Sequence, residues 1–381
     1  MLKFLSETSK VLLVTFLLFI ILNVVIVFTW PIYIHYKFKN YHPYSSEIIE
    51  KLQMSKEDAL QLYLETWIDR SFSYSQFLEH VESETKGKFV NISKKFGRKV
   101  ENPNSCKKRF FFYGGSTTFG YNVADNQTIP AFFLESLKRN NYRNFCVFNF
   151  GGGSYFSTQE NIRFQKHLIE GKINENDFIF FIDGMNESGL RKTRATDYLI
   201  EAFKPANEKF WNIYKITFPT FIKSLPIVQV SSRLLKRFFN LDLDANVGIA
   251  GSIRLIPEDL LQVYERNINI RKGICNSNKI NCYSFLQPFA TIHGVYFSTR
   301  DGVILKDGDK LGTAPEIGKL GQLVSLKQKY KVLKNAKGIV DISSALDSMD
   351  ELSYVDGAHY SPDANKLIAD RILKEIKVDL N

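Results

Sequence analysis

The chain has 381 residues, 44% of them hydrophobic, with 32 Phe and 18 Tyr. That exceeds one typical domain and supplies a sizeable core, which excludes a disordered chain and favours one large domain carrying an insertion. The formal net charge of +10 suits an anionic surface such as phospholipid headgroups or acidic glycans, but the lysines are scattered without an Arg-rich arm or zinc-knuckle spacing, which argues against nucleic acid.

After a short tail, residues 1–10, the stretch Val11 to Trp30 holds no charge and only Thr15, Asn23 and Thr29 as polar interruptions. It is long enough to cross a bilayer as a helix, and Trp30, Tyr33 and Tyr36 form an interfacial aromatic belt behind it. A signal peptide is the rival reading, but its apolar core would be shorter, and no A-x-A-like site follows. Residues 11–36 are therefore read as an uncleaved transmembrane anchor. Lys3 and Lys10 on one side balance Lys37 and Lys39 on the other, so charge does not set its orientation.

Residues 37–107 read as a membrane-proximal helical connector, with Leu60, Leu62, Tyr63 and Trp67 at helical spacing and the polar run Asn102 to Ser105 at its end. The four aromatic residues Phe110 to Tyr113 then predict a buried strand, Gly114 and Gly115 a sharp turn, and Ser116 a side chain delivered at the strand's end. A helix over Ile129 to Leu137 follows, with Pro130 in its first turn. A second strand, Cys146 to Phe150, runs into Gly151-Gly152-Gly153-Ser154-Tyr155, and Ser157 to Glu160 reads as a capping box. The third strand is Phe178 to Ile182, ending in Asp183-Gly184-Met185-Asn186-Glu187. Three apolar strands that end in glycine-containing loops and alternate with helices are the signature of a parallel α/β sheet.

Residues 190–272 lose clean periodicity and read as a mostly helical insertion over or beside that sheet. Tyr283 to Pro288 and Gly338 to Ser343 are the fourth and fifth strands, separated in part by Asp301 to Lys337, a solvated segment with eight lysines. The last helix carries Ala364, Ile368, Ile372 and Ile376 on one face. Of the four cysteines, Cys106 and Cys146 stand before neighbouring strands, within bridging reach if those strands are parallel, and Cys275 and Cys282 close a short loop. Two pairs suit an oxidising compartment and place the body outside the cytoplasmic membrane, while buried free thiols are the plain alternative.

Asp356 and His359 stand three apart before the last helix, close enough for the carboxylate to fix the imidazole tautomer and leave the other ring nitrogen as a base. A serine after strand one, glycine amides after strand two, a side-chain amide after strand three and this Asp/His pair all fall at one edge of a parallel sheet. No histidine spacing suggests a metal, no cofactor is implied, and His167 and His293 read as structural or surface residues.

The ordered blocks Gly114-Gly115-Ser116-x-x-x-Gly120, Asn149-Phe150-Gly151-Gly152-Gly153, Gly184-Met185-Asn186-Glu187 and Asp356-x-x-His359-x-Ser361-Pro362 resemble the SGNH, or GDSL-like, hydrolase superfamily over roughly residues 108–378, within a catalytic domain read as residues 108–381. The resemblance implies a three-layer α/β/α fold with a parallel five-stranded sheet. Ser116 would be the nucleophile, His359 the base and then acid, and Asp356 its orienting partner. The oxyanion would be held by the Ser116 amide, Gly153 and the Asn186 side chain, with the Ser154 amide as the alternative to Gly153. Three positions depart from the family pattern: Gly115 replaces the usual Asp, the glycine run leaves the oxyanion register open, and Glu187 stands where Asp is commoner and has no catalytic role. The implied protein is a membrane-anchored serine esterase or O-acyltransferase acting on an acylated cell-envelope glycan or lipid. A catalytically idle glycan-binding or scaffolding module is the alternative.

Overall fold

The computed structural model describes residues 2–40, 42–187, 222, 225–228, 230–231, 257–290, 297–298, 304–305, 330–349 and 352–377. They belong to two compact units, residues 1–42 with 191–254 and residues 43–190 with 255–381.

In the first unit α1 (Leu2–Asn40) is one helix that takes in the expected tail and anchor together. Its segment Ser9–Trp30, 22 residues, is long and apolar enough to cross a membrane. The three polar interruptions turn back onto their own helix: Thr15 Oγ1 donates to Val11 O, Asn23 Nδ2 to Phe19 O and Thr29 Oγ1 to Val25 O, each at 2.8 Å. Such bonds leave little polar surface unsatisfied in an apolar medium.

The second unit opens with α2 (Ser46–Leu52) and α3 (Lys56–Tyr63), the latter running into a π-helical turn to Ile68. Beyond Ile68 the expected helical connector is instead β structure: β1 (Phe72–Ser75) and β2 (Glu79–Glu82) pair as an antiparallel hairpin, and β3 (Thr85–Lys86), β4 (Asn91–Ser93) and β5 (Gly97–Arg98) extend the main sheet. The central elements follow: β6 (Lys108–Gly114), α4 (Ser116–Phe119), α5 (Ile129–Arg139), β7 (Phe145–Gly151), α6 (Ser157–Ile169) and β8 (Phe178–Asp183). Next come α7 (Pro257–Ser277), β9 (Asn281–Leu286), the short antiparallel pair β10 (Phe297–Ser298) and β11 (Ile304–Leu305), β12 (Val340–Asp341) and α8 (Pro362–Ile376).

The eight-stranded sheet has the order β12-β9-β8-β6-β7-β5-β4-β3. From β12 to β7 all pairings are parallel, and the connector adds β5 parallel to β7, then β4 and β3 antiparallel. The five expected strands are thus the core of a larger, mixed sheet. Burial on both faces explains the unbroken aromatic runs. Phe110, Phe112, Phe180 and Ile182 share a buried cluster with Phe133 and Leu137 of α5 and Ile368 and Ile372 of α8. Phe111, Tyr113, Ile179 and Phe181 point the other way and cluster with Phe164 of α6 and Cys275 of α7. Helix, sheet and helix form three layers.

Three local expectations change. The insertion read to residue 272 stops earlier, because α7 packs Leu260, Tyr264 and Ile268 against Leu286 and Tyr330 in the α/β body; most of the stretch before it lies outside the described residues. The capping box at Ser157 does not form: Phe156 is the N-cap, the Ser157 amide is bound by Glu187, and buried Glu160 faces Arg271 at 3.7 Å. Cys106 is bridged to Cys146, Cα atoms 5.3 Å apart, and Cys275 to Cys282, 6.2 Å apart.

Candidate active site

Strand β6 ends at Gly114, Gly115 follows as the N-cap of α4, and both positions are crowded. A Cβ at Gly114 would strike Thr118 Oγ1, and one at Gly115 would strike the Asn186 amide nitrogen while lying 3.2 Å from Tyr155 O. The crowding at Gly115 falls at the position where the first block lacks an aspartate. Ser116 then opens the single turn of α4, which closes at Gly120 with φ 92°. The serine is buried at 7% exposure, and its Oγ lies 2.9 Å from His359 Nε2 across a sequence separation of 243.

His359 comes from a tight loop before α8, closed by the Tyr354–Tyr360 bridge and by Val355 N donating to His359 O at 2.9 Å. Within that loop Asp356 Oδ1 accepts the amides of Ala358 and His359, both at 2.8 Å, and Oδ2 lies 2.8 Å from His359 Nδ1. Nδ1 therefore carries the proton, and in the neutral ring Nε2 is left to accept from the Ser116 hydroxyl. Burial raises the Asp356 pKa, but the His359 ring and the two amides outweigh it and hold the carboxyl below its ordinary value.

The connector, read as a membrane-proximal helical segment, and the loop after α4 together supply the surroundings of this line. Asn122, in the left-handed region at φ 64°, donates from Nδ2 to Asp356 Oδ2 at 2.7 Å. Its Oδ1 accepts Trp67 Nε1 at 2.5 Å and Tyr44 Oη at 2.9 Å. Trp67 meets the His359 ring edge-on, centroids 5.7 Å apart, and Tyr121 stacks on it at 5.1 Å and 27°. Tyr121 Oη donates to Glu82 Oε1 at 3.0 Å, and burial first, then Glu82, push that hydroxyl far above its ordinary value, so it stays a donor.

Of the four expected oxyanion groups, two hold partners and two backbone amides have none among the described residues. Asn186 Nδ2 donates to Tyr155 O at 2.6 Å, beside Gly115. The Ser116 amide has no acceptor among the described residues. Gly153 departs from its expected role, because its amide donates to Glu82 Oε1 at 3.1 Å. The next residue, Ser154, is exposed, sits at φ 60° and has an amide with no acceptor among the described residues, so the alternative register is the one the backbone leaves open.

Glu187 is structural. Buried at 2% exposure, it takes the Ser157 amide on Oε1 at 2.5 Å and the Gly184 amide on Oε2 at 2.8 Å, joining the end of β8 to the start of α6. Burial, then nearby Asp183, push its carboxyl up to about 7. Arg271, fully buried, pairs with Asp183 at 2.7 Å and lies 3.9 Å over the Phe181 ring, and Glu160, raised by burial and by Asp183, completes the cluster. His167 is buried against Tyr113, its Nδ1 2.8 Å from the hydroxyl, and burial holds its pKa down to about 2. His293 lies outside the described residues. Among the described residues, no three His, Cys, Asp or Glu side chains are grouped to hold a metal.

No family model and no curated protein matches the chain. Several solved structures are similar at low identity. An acetylxylan esterase from Geobacillus stearothermophilus aligns at 14% identity over 71% of this chain and 95% of that one, with a TM-score of 0.34. A lipase/acylhydrolase from Enterococcus faecalis aligns at 14% identity over 71% and 96%, TM-score 0.37. A member of the lipolytic G-D-S-L family from Veillonella parvula aligns at 11% identity over 71% and 98%, TM-score 0.37.

Proposed function

We propose that the chain is an SGNH-type serine esterase or O-acyltransferase that works through an acyl-serine. The observation that carries this reading is the unbroken line Ser116 Oγ, His359 Nε2, His359 Nδ1 and Asp356 Oδ2, with steps of 2.9 and 2.8 Å. His359 takes the Ser116 proton as Oγ bonds to the ester carbonyl carbon, and the carbonyl π electrons move onto oxygen. That oxyanion is held by the amides of Ser116 and Ser154 and by Asn186 Nδ2. The intermediate collapses, the C–O bond to the leaving alcohol breaks, and His359 returns the proton to the departing oxygen. Water or an acceptor hydroxyl, deprotonated by His359, then attacks the acyl carbon; the bond to Ser116 Oγ breaks, His359 returns the proton to Oγ, and acid or a new ester leaves.

The substrate is an acyl ester of a cell-envelope glycan or lipid. This part rests on the segment Ser9–Trp30 as a membrane anchor and on the two disulfides, which suit an oxidising, extracytoplasmic side. The test is ester turnover by the full chain in detergent, with p-nitrophenyl acetate and acetylated envelope glycans as substrates. Ser116→Ala is expected to abolish release of p-nitrophenol. Equal release by wild type and Ser116→Ala would remove the serine mechanism.

A further inference from the structure

The β1–β2 hairpin reaches the candidate site through two side chains that no catalytic motif includes. Glu82 Oε1 accepts the Gly153 amide at 3.1 Å. His80 Nε2 lies 2.9 Å from Gly153 O, and because a carbonyl only accepts, Nε2 must carry hydrogen and donate. Gly153 is thus held at both of its backbone polar groups by one hairpin. Its neighbours dock on the other side: Gly152 N donates to Gly114 O at 2.9 Å, and Tyr155 O accepts Asn186 Nδ2 beside Gly115.

The consequence lies in the peptide that joins Gly153 to Ser154. The described backbone has no cis peptide bond, so this C=O and the Ser154 N–H point in opposite directions across one plane. Fixing the C=O on His80 fixes the N–H away from the hairpin. A carbonyl that accepts a hydrogen bond also polarises its own peptide and strengthens the N–H as a donor.

Resting on the acyl-serine reading above, we infer that His80 and Glu82 are positioning residues that set the Ser154 N–H as an oxyanion donor. The hairpin is stiff enough for this. His80 sits edge-on between Phe72 at 5.0 Å and Tyr155 at 5.4 Å, and Tyr155 Oη donates back to His80 O. Glu82 Oε2 is paired with Arg70 Nε at 2.8 Å, and the guanidinium lies over the rings of Phe72 and Tyr121 at 4.2 and 4.1 Å. Because Glu82 Oε1 also takes the Tyr121 hydroxyl, and Tyr121 stacks on His359, one carboxylate ties the oxyanion loop to the ring that backs the base.

The test compares His80→Phe, which keeps an aromatic ring but deletes the donor, with His80→Gln, which restores an N–H of similar reach. The full chain in detergent is assayed with p-nitrophenyl acetate and with an aryl trifluoromethyl ketone, which becomes an oxyanion only when bound to serine. His80→Phe is expected to lower kcat by about tenfold or more at nearly unchanged KM and melting temperature. Ketone affinity should weaken by a similar factor, and His80→Gln should recover most of both. If His80→Phe does not fold, His80→Asn, too short to reach Gly153, replaces it in the comparison with His80→Gln. Wild-type activity with a flat His80 series overturns this inference alone, and so does a rise in KM at constant kcat. An inactive wild-type enzyme overturns the acyl-serine reading, and the inference with it.

Discussion

Gly115 shows how a single side chain is excluded and what that protects. A Cβ there would clash with the Asn186 amide nitrogen, so Gly115→Asp, the substitution that restores the usual Gly-Asp-Ser, would push Asn186 off Tyr155 O. Loss of one oxyanion donor costs about 100-fold in other serine enzymes. We expect Gly115→Asp to lower kcat for p-nitrophenyl acetate by about tenfold to 100-fold with a smaller change in KM, and activity within about twofold of wild type would contradict the crowding. At this scale Ser116, Asp356, His359 and Asn186 were legible because each stands in a short block with a glycine or proline signal beside it. Glu82, His80 and Asn122 were not, since they meet their partners 71, 73 and 234 residues away and no local pattern marks them.

Elements joined through buried charge make the fold sensitive to pH. Glu187 bridges the ends of β8 and α6 beside a cluster where Asp183 and Glu160 share one arginine, Arg271. Its carboxyl is raised from 4.5 to about 7, so between those values the folded chain keeps a proton that the unfolded chain releases. Raising the pH through that window therefore favours the unfolded state, and the loss levels off above about 7. Melting temperature measured from pH 4.5 to 7 should fall for wild type and fall less for Glu187→Gln, even if the variant starts lower. Equal slopes would contradict the assignment. The central strands were legible because two-sided burial demands aromatic runs. The β1–β5 segment was missed because its strands are two to four residues long and leave Phe72 and Tyr74 exposed. The capping box at Ser157 misled for a different reason: Glu160 has a buried arginine to face, and Glu187 replaces it at the helix start.

Across the whole molecule, the connector from residue 43 onward belongs to the same compact unit as the proposed machinery. Tyr44 and Trp67 reach Asn122, Trp67 and Tyr121 enclose His359, and Glu82 and His80 hold Gly153, so residues 43–83 back the Asp356–His359 pair and the glycine loop. The order of glycine-punctuated strands made the three-layer body legible, while the extension of its sheet by the connector depends on long-range pairing that composition does not record. All of this converges on one atom, Ser116 Oγ. The direct test is fluorophosphonate labelling of the full chain in washed membranes, with the modified peptide identified by mass spectrometry. Labelling confined to Ser116 and lost in both Ser116→Ala and His359→Ala is expected; an unlabelled Ser116 in folded protein, or labelling indifferent to His359, would contradict the proposed nucleophile.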